Sequence, residues 1–87
     1  MEIVKNAAAG TLESSDVFIA VEPAEELVLE IESVVLEQYG RAIKKTAEEV
    51  IDAFGITKGI IRINDRGALD CVLKARMETA FKRGAKP

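Results

Sequence analysis

The chain has 87 residues, 48 % hydrophobic and 31 % charged with a net charge of −3, the balance of one small globular domain. Histidine is absent and cysteine occurs once, which excludes Ser–His and Cys–His nucleophiles, histidine metal ligation and an internal disulfide. The acidic balance argues against a nucleic-acid partner, no apolar run approaches the roughly 20 residues of a membrane helix, and "MEIVKNAAAG" lacks the basic start of a signal peptide. The expected location is the cytoplasm.

Residues 1–15 contain "AAAGTLESS", small and polar, and are expected to form a flexible N-terminal segment. "DVFIAVEP" (16–23) is apolar on both faces, Val17, Ile19 and Val21 on one and Phe18 and Ala20 on the other, as in a central strand. "EELVLEIES" (25–33) alternates, with Leu27, Leu29 and Ile31 inward and Glu30 and Glu32 outward. The short "EPAE" link between these two predicts an antiparallel hairpin.

The period then changes. Leu36, Tyr39, Ile43, Ala47, Val50 and Phe54 recur at three- and four-residue steps, which predicts a helix over 34–54 with Ser33 as N-cap and Gly55 as stop. "KGIIRIND" (58–65) returns to a strand. Asp65 is placed to cap a last helix over 66–83, whose stripe is Leu69, Val72, Leu73, Met77 and Ala80 and which Gly84 ends. The expected fold is α+β: a two-layer α/β sandwich in the order β-β-α-β-α. Its three-stranded sheet has the first strand in the middle and carries two helices on one face.

Three residues raise the question of chemistry. Ser14, with Ser15 beside it, reads by residue type as a turn former, since Ser and Asp before a strand are routine there. With no base to activate it, any covalent role would need another enzyme to act on it. Cys71 lies away from the centre of the last helix's stripe. With no histidine in the chain and Asp70 adjacent, packing against another subunit or a flanking strand is expected rather than a reactive thiol. Arg76 falls near the middle of that stripe, where it either snorkels to solvent or meets a carboxylate such as a hairpin glutamate.

"GTLESSDV" (10–17) together with "NDRGALDCVLKAR" (64–76) resembles the acyl carrier proteins of bacterial citrate lyase, the gamma subunit, and the likeness spans nearly the whole chain. The resemblance implies a single acyl carrier domain over 1–87 with its attachment site in 1–15. The serine matching Ser14 bears 2'-(5''-phosphoribosyl)-3'-dephospho-CoA, covalently attached through a phosphodiester by a dedicated prosthetic-group transferase. The implied partners are the alpha (CoA-transferase) and beta (citryl lyase) subunits, which pass an acetyl and then a citryl thioester over that group and release oxaloacetate. Usual carriers differ, being helical bundles with phosphopantetheine on an Asp-Ser-Leu motif, which does not occur here.

On this reading the chain is a non-catalytic carrier subunit, with no metal and no membrane. Two alternatives stand beside it: the related carrier subunit of malonate decarboxylase, and an unmodified α/β interaction module. An independent enzyme would need paired, tuned carboxylates in a pocket, to which the sequence does not point.

Overall fold

A computed structural model describes all 87 residues. Strands β1 (Ala7–Gly10), β2 (Val17–Glu22) and β3 (Leu27–Ser33) precede helix α1 (Leu36–Ala53), strand β4 (Gly59–Asp65) and helix α2 (Asp70–Gly84). The α+β class and the helix-covered sheet agree with the sequence expectation. The sheet has four strands rather than three, in the order β1-β2-β4-β3.

Two corrections follow from that order. First, the N-terminal segment is built into the fold down to Gly10. Ala7–Gly10 pairs antiparallel with β2, from Ala7↔Val21 to Gly10↔Phe18, and Ile3 is buried. Alanine and glycine are weak strand formers, and four small residues carry no alternation to read. Small side chains, however, suit an edge strand that α2 covers closely. The Arg83 guanidinium donates to the Ala8 carbonyl at 2.7 Å, and Val4 N–H donates to the Gly84 carbonyl at 2.9 Å.

Second, β2 and β3 are not a hairpin. β4 lies between them, antiparallel to β2 and parallel to β3. A strand, helix and strand in succession favour a right-handed crossover that returns the second strand parallel to the first. β3, α1 and β4 form such a parallel unit, and β4 inserts where the hairpin was expected. β2 remains interior, with β1 as its second neighbour.

One face of the sheet carries both helices. Val17, Ile19, Val21, Ile61 and Ile63 meet Ile43, Ala47, Val50 and Ile51 of α1 and Leu73, Met77, Ala80 and Phe81 of α2. Phe54 and Phe81 cross edge-to-face with centroids 5.9 Å apart. On the open face, Arg62 bridges Glu22 of β2 at 2.7 Å and Glu30 of β3 at 3.4 Å, tying three strands together across their exposed side. Those carboxylates, Glu22 first, raise the Arg62 pKa.

The helix ends differ from expectation. The Ser33 hydroxyl accepts from Val35 N–H and donates to the Asp65 carboxylate, so it braces the turn before α1 without being its N-cap residue. Asp65 is 3 % exposed and accepts from the Gly67 and Ala68 amides, folding the segment 65–68 into a turn. That turn delays α2 to Asp70, whose carboxylate accepts from the Thr46 hydroxyl on α1. Leu69 is consequently outside the helix and 71 % exposed, not part of the core stripe. Gly84 is helical and buried: a Cβ there would meet Val21 at 2.9 Å, so it serves close packing against β2 rather than as a stop.

Met77 and Leu69 test this placement. Met77→Ala, at a fully buried position, should cost about 2–5 kcal/mol in urea denaturation, and Leu69→Ala within about 0.5 kcal/mol. Equal losses would put Leu69 in the core and contradict the observed helix start.

Candidate functional site

Residues 11–16 form the connection between β1 and β2, at the sheet end where β3 and β4 finish. Its geometry begins at Gly10, which has φ +91; a Cβ there would lie 1.8 Å from the Val17 carbonyl oxygen, so only glycine fits. The Thr11 hydroxyl then accepts from Glu13 N–H at 3.2 Å and donates to Asp16 Oδ2 at 2.7 Å. Asp16 N–H closes the turn onto the Glu13 carbonyl at 3.1 Å.

Asp16 is the hub. Its Oδ1 accepts from Val17 N–H at 2.7 Å and from Arg76 Nε at 3.1 Å, and its Oδ2 accepts from Arg76 Nη2 at 3.0 Å. The arginine fork thus grips both oxygens and fastens the loop to α2. Arg76 pairs with this loop aspartate rather than with a glutamate of the expected hairpin. The Thr11 hydroxyl, then Arg76 and the Val17 amide, hold the Asp16 carboxyl down at about 2.

On its other side the loop is stitched to β4. Ser15 N–H donates to the Arg66 carbonyl at 2.8 Å and Arg66 N–H donates to the Asp16 carbonyl at 2.9 Å, so Ser15 and Asp16 together oppose Arg66 in a β-bulge just beyond the Val17↔Asp65 pair. Ser15 takes φ +65, in the left-handed region that side chains seldom adopt. Ser14, at the turn before it, is exposed. The loop's side-chain hydrogen bonds run through Thr11, Asp16 and Arg76, and none through the Ser14 hydroxyl.

The result is a serine hydroxyl in solvent on a braced hairpin tip, where the sequence had led us to expect a flexible tether. Asp16 is no activating base for that hydroxyl, because a carboxylate with a pKa of about 2 and both oxygens engaged is a poor proton acceptor. Cys71, on the first turn of α2, is exposed. The parts of the loop's bracing that sequence reasoning missed are Gly10 and Asp16. A glycine followed six residues later by an aspartate before a strand is the only local trace of them.

Comparison with known proteins gives concordant findings. The family model described as ACP, malonate decarboxylase delta subunit (MdcD), matches residues 4–84. The chain is 47 % identical to the citrate lyase acyl carrier protein of Escherichia fergusonii, covering 99 % of this chain and 91 % of that one. It is 46 % identical to its counterpart in Treponema denticola, over 95 % of both chains, and 51 % identical to that of Haemophilus influenzae, over 95 % and 87 %. In fold it is similar to a chain of a Pseudomonas malonate decarboxylase hetero-tetramer solved with malonate, with TM-score 0.82, 23 % identity, and coverage of 93 % and 84 %.

The Asp16 clamp has a pH signature. An unfolded aspartate protonates near 3.8 and the folded one near 2, so the clamp's contribution is complete above about 3.8 and is lost as pH falls through about 2. Asp16→Asn should speed hydrogen exchange at the Ser15 and Val17 amides at neutral pH. In the wild type the same amides, corrected for intrinsic rates, should loosen only within that acid window. An Asp16 titration midpoint near 3.8 by NMR would contradict the clamp.

Proposed function

The chain belongs to the citrate lyase acyl carrier protein family, and from that premise we propose that Ser14 carries the covalently bound phosphoribosyl-dephospho-coenzyme A group. The observation that carries this reading is the exposed Ser14 hydroxyl, which joins none of the hydrogen bonds that Thr11, Asp16 and Arg76 make around it. When bound, the group supplies the thiol that holds the acetyl or citryl unit. The residues present fit such a group: the tip is open to solvent, and no side chain of the chain competes for the Ser14 oxygen.

This chain's own part is positioning. Gly10, Thr11, Asp16 and Arg76 hold the tip still, so a transferase meets the hydroxyl in one geometry and need not first order the loop. Proton removal from Ser14 falls to the transferase, for the reason given by the low Asp16 pKa. After loading, tethering replaces free diffusion of the acyl unit by an effective concentration that reaches about millimolar for a short flexible linker. The carrier is non-catalytic on this reading. It acts in the cytoplasm, between the CoA-transferase (alpha) and citryl lyase (beta) subunits of a citrate lyase complex.

The carrier of malonate decarboxylase is the second reading, favoured by the description of the matched family model and by the fold likeness. Relatives at 46–51 % identity are citrate lyase carriers, against 23 % for the malonate decarboxylase chain, and this weighs for citrate lyase.

Incubation with the transferase and its nucleotide donor, followed by intact-mass measurement, tests the site. Ser14→Ala should remain folded, within about 0.5 kcal/mol of the wild type, yet take no adduct and support no citrate cleavage by the assembled complex. Ser15→Ala should take the adduct. The reverse pattern would move the site by one residue, and an unmodified wild type would leave only the interaction-module reading. Cys71→Ala should load and accept acetyl like the wild type, because the working thiol belongs to the attached group; loss of acetylation in folded Cys71→Ala would overturn that assignment.

A further inference from the structure

Arg66 Nε is the one buried side-chain nitrogen or oxygen in the molecule that has no hydrogen-bond partner. Buried donors are almost always paired, so an orphan calls for a physical reason, an absent ligand among them. Its guanidinium also joins no ion pair, whereas Arg62, Lys74, Arg76 and Lys82 each hold a carboxylate. The main chain of this same residue brackets the candidate loop: its carbonyl accepts from Ser15 N–H at 2.8 Å and its N–H donates to the Asp16 carbonyl at 2.9 Å. Ser14 is one Cα step farther along, about 3.8 Å of chain.

We propose that Arg66 is the binding residue for the phosphodiester phosphate on Ser14, its guanidinium donating to the non-bridging oxygens. This rests on Ser14 being the attachment site. A diester phosphate carries one negative charge at neutral pH and offers two equivalent oxygens, the acceptor geometry that a planar guanidinium fork matches. Arg76 is unavailable for this role, since its fork is engaged by Asp16, and Arg83 is turned to the Ala8 carbonyl. The pairing would fix the first bonds of the arm at the loop and leave the remainder free to swing.

The test uses the full chain labelled with 15N, before and after complete loading by the transferase as verified by intact mass. On loading, the Arg66 Nε–H resonance should move downfield and exchange more slowly with water, while that of Arg76 stays where it is. The 31P signal of the ester should shift between wild type and Arg66→Gln, with Arg66→Lys retaining part of the wild-type position. A fully loaded wild type with an unmoved Arg66 Nε–H overturns the Arg66 assignment while leaving Ser14 as the site. An adduct mapped by peptide analysis to a residue other than Ser14 overturns both.

Discussion

The two-pronged contact between Asp16 and Arg76 joins elements sixty residues apart in sequence, and the β1–β2 loop is organised around it. The β1–β2 connection is only six residues, yet a loop of Thr, Leu, Glu and Ser has too little apolar surface to hold itself in place. Its order comes from one carboxylate that accepts from a hydroxyl, a backbone amide and two nitrogens of a guanidinium. Charge-assisted bonds of this kind are individually stronger than neutral ones, and here they converge. The same convergence keeps Asp16 ionised and chemically quiet.

Arg76 reaches this position because α2 runs beneath β1 and β2, and that course depends on small residues. Gly10 lets the chain turn against Val17 and passes close to the Arg76 stem, where a Cβ would lie 3.3 Å from Cδ. Gly84 lets the far end of the helix touch Val21 and Ile3. Glycine at the two ends of one helix–strand contact thus sets how near α2 lies to the sheet. The rest of the core, Met77, Ala80 and Phe81 against Ile19 and Ile61, fills the space that remains.

The division of labour at the tip follows. On the proposed reading Ser14 is an anchor, which is best served by a backbone that does not wander and a hydroxyl that nothing else uses. Rigidity is supplied by backbone and by side chains on either side of Ser14, and Ser14 itself is left out of the network. A fully flexible segment would have met the second need while failing the first.

Much of this was legible in the one-dimensional pattern. The alternation of Val17, Ile19 and Val21, the three-and-four spacing from Ile43 to Val50, and the return to alternation at Ile61 and Ile63 each dictate a local conformation, because side-chain direction repeats with backbone period. They determined three of the four strands, both helices, the α+β class and most of the apolar faces. The pairing of those elements was not legible, since which strand lies beside which is a contest among long-range contacts. A short "EPAE" link looked like a hairpin, and the β3–α1–β4 crossover won the place beside β2. β1 was invisible for the opposite reason: "AAAG" has no pattern, and it is a strand only because β2 offers an unpaired edge and α2 a cover. Ser14 was singled out through resemblance and Arg76 through its misfit in an apolar stripe, but only the tertiary structure brought Arg76 to Asp16 and left the serine free. Local periodicity is written residue by residue. Partnership between distant residues exists only once the chain has folded.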